Sequence, residues 1–250
     1  MDLGLKDQRV LVSGASRGIG RAIVERFLDE GAQVAFCARG AAGVERAAAE
    51  FGPRAFGTAV DVTRPEQVEG WVTSAVQRMG GLDIVIPNVS ALAGGDDLET
   101  WRRAFDTDLL GSAAMVKAAL PALRQSAAAS IVLISSVSGR EVDMFAEPYG
   151  ILKAALLHYG KTLSARHASE GIRVNSVSPG NVYFAEGVWG DIEREQPETF
   201  AKCLAENPMG RMATPEEVAK AVVFLASPAA SFTTGTNLLV DGGLTRSVQF

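Results

Sequence analysis

Short, continuously apolar segments alternate along this chain with longer segments whose apolar residues recur at helical spacing. Segments that are apolar on both faces are typical of strands buried on both sides in a parallel sheet. The longer segments, such as the one with Ile19, Ile23 and Phe27 at i, i+4 and i+8, predict amphipathic helices. Strand and helix therefore alternate, which predicts an α/β fold with a doubly wound, seven-stranded parallel sheet. The predicted strands are residues 10–13, 33–38, 54–60, 83–86, 130–135, 172–178 and 238–240.

The predicted helices lie between these strands. They cover residues 21–30 and 42–51, a segment that begins at Pro65, one long helix over 98–124, and 148–169. Pro65 stands at the first helical position, where proline is favoured. No linker, repeat or low-complexity tract divides the chain, so a single domain is expected over residues 1–250.

The first predicted strand runs into a glycine-rich turn, Gly14-Ala-Ser-Arg-Gly-Ile-Gly20. The turn leads directly into a helix, so backbone N–H groups and the positive helix end point at one spot, which suits a phosphate. The alternative is an ordinary strand-to-helix turn whose glycines only satisfy positive φ angles. The predicted phosphate site consists of Gly14, Ser16, Arg17, Gly18, Ile19 and Gly20.

In doubly wound sheets the ligand lies beyond the carboxyl ends of the strands. The residues that follow the predicted strands are therefore candidates for a binding site. They are Arg39, Asp61, Asn88, Ser135, Ser136, Pro179 and Gly180.

Tyr149 and Lys153 are spaced i, i+4 on a predicted helix, so their side chains face the same way. A phenol is a weak acid, and a nearby cation favours its phenolate form. Such a pair can donate a proton to a carbonyl that accepts a hydride. For an isolated pair, the alternative is a surface tyrosine stacked on the lysine stem.

Taken together, these motifs resemble those of the short-chain dehydrogenase/reductase family. The resemblance covers essentially the whole chain in the family's order, with Ser136 the expected 13 residues before Tyr149. The 3-oxoacyl-carrier-protein-reductase-like enzymes are the most similar members, and the resemblance implies a Rossmann fold. The matching positions are Gly14–Gly20, Asp61, Asn88, Ser136, Tyr149, Lys153, Pro179–Gly180 and Val240–Gly243.

The resemblance implies hydride transfer between NAD(P) and a carbonyl or alcohol. Tyr149 is then the general acid in reduction and the base in oxidation, and Lys153 holds the nicotinamide ribose and favours the phenolate. Ser136 is expected to hydrogen-bond the substrate oxygen as charge develops there. Ser135 is expected to have a structural role at the strand end. The residues that the resemblance implies for cofactor binding are the glycine turn, Arg39, Asp61, Val62, Asn88, Tyr149, Lys153, Pro179, Gly180 and Val182.

The charge at the end of the second strand indicates which cofactor is used. NAD-dependent relatives usually place an acid there, and this chain has Ala38. Arg39 follows directly and Arg17 lies in the glycine turn, so two guanidiniums are expected to meet the 2′-phosphate of NADP. The alternative is that either arginine is only a solvated surface charge. The sequence therefore predicts NADP as the cofactor.

Asp108 departs from the family pattern and is a further candidate catalytic residue. It stands where many relatives have an asparagine that anchors a water next to the lysine. If Asp108 is ionised and close to Lys153, it weakens the pull of the ammonium on Tyr149. The acid limb of the pH–rate profile is then expected at a higher pH than in an Asp108→Asn variant.

Two other departures lie along the expected cofactor path. Pro87-Asn88-Val89-Ser90 replaces the family's Asn-Asn-Ala-Gly, and Pro87 removes a backbone donor. Phe184 replaces a threonine near the nicotinamide carboxamide. Two alternatives stay open for one carboxamide hydrogen bond: it is lost, or the backbone of Val182 supplies it.

Two segments are expected to enclose the substrate: the loop 138–147 and a substrate lid at about 181–207. The lid aromatics favour a partly apolar substrate, although Phe200 and Leu204 are expected to pack on the core. The acidic rim disfavours an acidic carrier protein or a coenzyme A tail, so a small free carbonyl or alcohol is predicted. The expected wall residues are Tyr183, Phe184, Val188 and Trp189 on the lid, with Met144 and Phe145 among acids on the loop.

Composition narrows the remaining possibilities. The net charge of −5 argues against nucleic acid as a partner, and no apolar run is long enough to span a membrane. No signal-peptide pattern opens the sequence, and two separated cysteines and two histidines predict neither disulfides nor a metal site. A cytoplasmic homotetramer is expected, the oligomer resting on the resemblance alone, with segment 246–250 as a possible subunit contact.

A different class of function stays open, which is a non-catalytic NADP(H)-binding redox sensor. Ser136, Tyr149 and Lys153 favour an enzyme, whereas the changes at Pro87–Ser90 and Asp108 keep the sensor in consideration. A purely structural role is the weakest alternative, because it gives no reason for polar groups at every strand end.

Overall fold

A single parallel sheet runs through the part of the chain that the computed structural model describes, residues 2–143 and 147–248. The strand order is β3-β2-β1-β4-β5-β6-β7, and each neighbouring pair is parallel. The predicted doubly wound, seven-stranded Rossmann fold is therefore confirmed. The strands are β1 (Arg9–Ser13), β2 (Gln33–Ala38), β3 (Ala55–Ala59), β4 (Ile84–Ile86), β5 (Ser130–Ile134), β6 (Arg173–Pro179) and β7 (Asn237–Val240).

Helices cover both faces of this sheet. They are α1 (Gly18–Asp29), α2 (Ala41–Phe51), α3 (Pro65–Met79), α4 (Leu98–Ala104), α5 (Gly111–Leu123), α6 (Glu147–His167), α7 (Val188–Glu195), α8 (Pro197–Ala205) and α9 (Pro215–Ala226). Among the described residues, no helix is both long enough and apolar enough to cross a bilayer.

Local sequence signals set several of the helix ends. Pro65 opens α3 at its first position, and Gly80, with φ of +72°, ends it in the left-handed conformation. Asp97 caps α4 by accepting from the N–H groups of Glu99 and Thr100. Thr214 and Glu217 form a reciprocal capping box at the start of α9.

The sheet separates two apolar cores. On one face Ile23 and Phe27 of α1 pack with Val222 of α9 against β1 and its neighbours. On the other face Trp71 of α3 and Met115 of α5 pack against alternate strand residues. Because both faces are buried, the strands need apolar residues at every position, which is the pattern the sequence shows.

The sheet order reverses beside β1, which pairs with β2 on one side and with β4 on the other. Chain connections leave this point in opposite directions, so the carboxyl ends of β1 and β4 border an open crevice. This crevice is where the site described below lies.

The long helix predicted over 98–124 is wrong in one respect. The structure divides it into α4, a π-helical segment Phe105–Leu110, and α5. The wider π turn is a local insertion that often occurs at functional sites. Here it contains the buried carboxylate of Asp108, whose backbone carbonyl accepts from Ser112 Oγ at 2.7 Å.

Arg173 of β6 holds the carboxyl end of α9. Its Nη1 donates to the carbonyl of Leu225 at 2.8 Å, and its Nη2 donates to those of Ala226 and Ser227 at 2.9 and 3.0 Å. Burial lowers the pKa of the Arg173 guanidinium, which has carbonyls as its hydrogen-bond acceptors here. The cation therefore satisfies terminal carbonyls of α9 and lies at the negative end of the helix dipole.

We expect Arg173→Met to lower the free energy of unfolding by about 2 kcal/mol, because it leaves these carbonyls without their donor. Urea denaturation followed by circular dichroism measures the loss. Arg78→Met is the control, since that exposed guanidinium only stacks over the Phe56 ring, and it should cost less than about 1 kcal/mol. Equal costs for the two variants would contradict the assigned role of Arg173.

Candidate active site

A cleft of about 460 Å³ opens at the carboxyl ends of β1, β4, β5 and β6. Most of the residues that the sequence predicts for the site line it. These are Gly14, Arg17, Gly18, Ile19, Gly20, Asn88, Ser136, Tyr149, Lys153, Pro179, Gly180 and Val182. The other predicted residues, which are Ser16, Arg39, Asp61, Val62 and Asp108, are not among the residues that line it.

The glycine turn is shaped by two positive φ angles and by one close approach of the backbone. Gly14 and Gly18 have φ angles of +68° and +56°, which favour glycine. A Cβ on Gly20 would lie 2.2 Å from the carbonyl oxygen of Gly14, so a side chain there would force the turn apart. Because α1 begins at Gly18, its first N–H groups open into the cleft, and this cradle fits a phosphate group.

Asn88 holds the glycine turn in place. Its Nδ2 donates to the carbonyls of Ser13 and Gly14, each at 3.1 Å, and its backbone N–H donates to Ser13 Oγ at 3.0 Å. The side-chain amide is thus engaged with the turn itself. Any contribution of Asn88 to cofactor binding passes through the geometry of that turn.

The far end of the predicted cofactor path lies along β2 and β3. Arg39 is exposed at the end of β2, and Asp61 follows β3. Hydrogen bonds from Thr63, together with the positive charges of Arg39 and Arg64, hold the pKa of Asp61 below its usual value. Asp61 is therefore a hydrogen-bond acceptor at neutral pH.

Ser16 and Val62 lie near the same end. A Cβ on Gly43 of α2 would lie 3.7 Å from that of Ser16. Val62 is buried, and a Cβ on Gly111 would lie 3.0 Å from its Cγ2. The side chain of Val62 therefore packs against the start of α5.

The predicted convergence of Arg17 and Arg39 on one anion stays a prediction, and the structure shows a contact that Arg17 makes elsewhere. Arg17 Nη1 donates to the carbonyl of Glu186 at 2.7 Å, on the segment that follows β6. Arg39 instead follows β2, on the other side of β1 in the sheet. The sequence could not indicate this contact, because it joins residues 169 positions apart.

Tyr149 and Lys153 face the cleft together from α6, one turn apart. Lys153 Nζ lies 5.6 Å from the centroid of the Tyr149 ring and donates to the carbonyl of Ile134 at 3.2 Å. Only 2% of Lys153 is exposed, whereas Tyr149 is partly exposed in the cleft. The alternative of a surface tyrosine stacked on the lysine stem therefore does not apply to Lys153.

Asp108 is the anionic partner of Lys153. Asp108 Oδ1 lies 3.2 Å from Lys153 Nζ, and both side chains are about 3% exposed. Oδ2 of the same carboxylate accepts the backbone N–H of Ala91 at 2.8 Å. The structure thus places Asp108 next to the lysine, as the sequence predicts, and the pair compensates two buried charges.

The two serines after β5 differ in their contacts. Ser135 Oγ donates to the carbonyl of Lys153 at 2.8 Å and so ties α6 to the sheet, in keeping with its predicted structural role. Ser136 Oγ donates to Ser138 Oγ at 3.1 Å, and Ser138 Oγ donates to Asp143. Sequence reasoning placed Asp143 only among the acids of a loop and missed its connection to Ser136.

The segment after β6 forms the remaining wall. Tyr183 N–H donates to the Ala213 carbonyl, and Ala213 N–H donates to the Asn181 carbonyl, both at 2.9 Å. Because this bridge uses the groups on either side of Val182, the backbone groups of Val182 itself face the other way. That orientation agrees with the alternative in which the backbone of Val182 supplies the carboxamide hydrogen bond.

Aromatic side chains of this segment divide between the cleft and a small core. Phe184 and Trp189 line the cleft, and the Phe184 ring covers Gly18, where a Cβ would come within 2.6 Å of it. Phe200 and Leu204 pack with Trp189 and Cys203 instead, as predicted. Val188 also lines the cleft, whereas Met144 and Phe145 lie outside the described residues.

Within residues 2–143 and 147–248, no three His, Cys, Asp or Glu residues come together in a way that could hold a metal ion. The cleft is lined by the glycine turn and by Ser136, Tyr149 and Lys153.

Comparison with known proteins agrees with this arrangement. A family model described as enoyl-(acyl carrier protein) reductase matches residues 14–245. Isoepoxydon dehydrogenase from Penicillium expansum is 41% identical, with 99% of this chain and 98% of that protein covered. The 3-oxoacyl-[acyl-carrier-protein] reductase of Vibrio cholerae is 33% identical over 97% of this chain and 99% of its own.

The solved structures include a similar enzyme with bound ligands. L-sorbose reductase from Gluconobacter frateurii, crystallised with NADPH and L-sorbose, superposes with a TM-score of 0.91 at 28% identity. The match covers 99% of this chain and 100% of that one.

This chain belongs to the short-chain dehydrogenase/reductase family and is an enzyme of that oxidoreductase class. The family resemblance predicted from the motifs is confirmed. Although the sequence pointed to 3-oxoacyl-carrier-protein reductases in particular, isoepoxydon dehydrogenase is more similar than the Vibrio reductase.

Proposed function

We propose that this enzyme transfers a hydride between NADP(H) and the carbonyl or secondary alcohol of a small, partly apolar substrate. One observation carries the proposal: Tyr149 and Lys153 face the same cleft that the glycine turn opens into. That arrangement puts a proton donor and a phosphate cradle on the wall of one cleft.

In this proposal Tyr149 donates its phenolic proton to the carbonyl oxygen in reduction and takes it back in oxidation. Ser136 hydrogen-bonds the same oxygen as negative charge develops on it. Lys153, which is held by Asp108 and the Ile134 carbonyl, keeps a positive charge below the phenol and meets the nicotinamide ribose. Bound NADP(H) supplies or accepts the hydride.

The proposed cofactor contacts follow the cleft and continue beyond its lining residues to the carboxyl ends of β2 and β3. The glycine turn holds the diphosphate, Asp61 and Val62 contact the adenine, and Arg39 binds the 2′-phosphate. Pro179, Gly180 and Val182 border the nicotinamide. Support for NADP comes from Ala38, which puts no anion at the end of β2, and from the NADPH bound to L-sorbose reductase.

A test of cofactor choice uses Arg39→Ala. We expect its Kd for NADPH to rise by roughly 10- to 100-fold, because a charge-assisted bond to the 2′-phosphate is lost, with less than about a threefold change for NADH. Titration of reduced-nicotinamide fluorescence measures both. Arg46→Ala, an exposed arginine on α2, is the matched control. Equal binding of NADPH and NADH by the wild type would show that the NADP assignment is wrong.

The proposed substrate is a small molecule, as the names of the relatives suggest. Isoepoxydon dehydrogenase and the reductase complexed with L-sorbose are both named for small carbonyl or alcohol substrates. The segment 181–207 is proposed as a lid over this substrate, since Phe184, Val188 and Trp189 line the cleft from it.

We also propose a cytoplasmic homotetramer that packs through α5 and α6, where Ile151 is an exposed apolar residue.

The central test is Tyr149→Phe, assayed by NADPH oxidation over a panel of small ketones. We expect kcat/KM to fall by roughly 10²- to 10⁴-fold, because the proton donor is removed. Tyr159→Phe is the control: Tyr159 lies about three turns further along α6 and packs on the core, so this variant should keep its activity. If wild-type protein binds NADPH tightly but reduces no ketone of the panel, the redox-sensor alternative gains support.

Asp108→Asn tests the effect of the ion pair on the proton donor. In alcohol oxidation, the phenolate is needed, and an anion beside the ammonium opposes its formation. We therefore expect the acid limb of the pH–rate profile to move to lower pH in the variant. Asp106→Asn, an exposed carboxylate in the same π-helical segment, should leave the profile in place. Superimposable profiles for wild type and Asp108→Asn would count against the proposed effect.

A further inference from the structure

Three polar groups form a hydrogen-bonded chain along one wall of the cleft. The 3₁₀ turn Val137–Gly139 brings Ser136 Oγ and Ser138 Oγ to 3.1 Å, and Ser138 Oγ donates to the carboxylate of Asp143. Ser136, Ser138 and Asp143 all line the cleft beside Tyr149. The chain therefore runs from the proposed substrate oxygen to a fixed negative charge.

The carboxylate at the end of this hydrogen-bonded chain determines which group donates and which accepts in each of its hydrogen bonds. An ionised carboxylate only accepts, so Ser138 gives Asp143 its single proton. Ser138 Oγ can then only accept, and in this structure it accepts from Ser136. When Ser136 turns its proton to a substrate carbonyl, as the proposed function requires, Ser138 loses its donor.

A hydroxyl group on the carbon next to the reacting carbonyl supplies the missing donor. The two oxygens of such a hydroxyketone are separated by about the length of a hydrogen bond. This matches the 3.1 Å between the Oγ atoms of Ser136 and Ser138, which would each meet one oxygen.

We infer that Ser138 and Asp143 recognise a hydroxyl group vicinal to the reacting carbonyl, so that the substrates are α-hydroxyketones and the corresponding vicinal diols. The inference rests on the proposed function and adds the substrate class. Ser138 and Asp143 are specificity-determining residues in it, whereas Tyr149 and Ser136 act on the carbonyl itself.

Glu141 is a second acidic residue of the same loop, and it has a different role. Glu141 Oε1 accepts from the backbone N–H groups of Arg246 and Ser247, at 3.2 and 3.1 Å, so it fastens the C-terminal segment to the loop. A hydrogen bond with the Ser247 side chain, together with these two backbone hydrogen bonds, holds the pKa of Glu141 below its usual value. Of these two carboxylates, Asp143 is thus the one that faces the cleft.

The rest of the cleft wall suits the carbon skeleton of such a substrate. Leu92, Ala93, Val188 and Trp189 present apolar surface around the polar chain. A compact ring or short chain with two neighbouring oxygens therefore meets polar groups on one side only. A plain ketone of the same size fills the same space but leaves Ser138 without a donor.

The experiment compares 2-hydroxycyclohexanone with cyclohexanone as substrates for NADPH oxidation. The readout is the ratio of the two kcat/KM values for each protein. We expect a ratio of at least roughly 10 for the wild type, falling to about 1 in Ser138→Ala and Asp143→Ala through a raised KM for the hydroxyketone. Asp96→Asn carries the same loss of charge in an exposed loop outside the cleft, and should keep the wild-type ratio.

Asp143→Asn distinguishes a neutral hydroxyl from a cationic donor. An amide oxygen still accepts from a hydroxyl, so this variant should keep part of the preference that Asp143→Ala loses. Equal loss in the two variants would overturn the assignment to a hydroxyl group.

The inference is also overturned if Ser138→Ala and Asp143→Ala keep the wild-type ratio, whether or not their rates fall. In that case the oxidoreductase function stands, because the wild type still reduces ketones and Tyr149→Phe does not. Failure of the proposed function looks different: wild-type protein then reduces neither ketone, and the inference falls with it.

Discussion

The buried ion pair between Lys153 and Asp108 is the interaction on which the site depends. An ammonium that is almost fully excluded from water is costly unless an anion and further acceptors compensate it. Asp108 supplies the charge, the Ile134 carbonyl accepts from the same Nζ, and Ala91 N–H holds the carboxylate. One pair thus joins α6, the end of β5, the loop after β4 and the π-helical segment. Any change that moves one of these elements also moves the proposed proton donor.

The sequence predicted the fold well because two-sided burial and helical periodicity are local properties. Every predicted strand is present to within a residue or two, and the glycine turn lies where its spacing indicated. The sequence analysis missed the π-helical segment, because the spacing of apolar residues over 98–124 does not reveal one wider turn within a helix. The sequence analysis also assigned Tyr149, Lys153 and Ser136 to one site, because the family motif links them. It could not place Arg17 or Asp143, because their partners depend on loops whose paths are set by tertiary packing.

The glycine turn and the segment after β6 are coupled by contact. The Phe184 ring lies over Gly18, and Arg17 reaches the carbonyl of Glu186 from the same turn. A group that binds at the start of α1 therefore meets the segment after β6 as well as the turn. In this family member an aromatic ring stands where the motif has a threonine, so the cover over the phosphate cradle is apolar here.

The tether between Arg17 and residue 186 uses a main-chain oxygen. A carbonyl is present whichever amino acid occupies that position, so the side chain of Glu186 is free to vary without breaking the link. The tether then depends on two things, which are the Arg17 side chain and the path of the backbone at residue 186. Any amino acid at position 186 can therefore keep this hydrogen bond, and the loop stays bonded to the start of the first helix whichever side chain stands there.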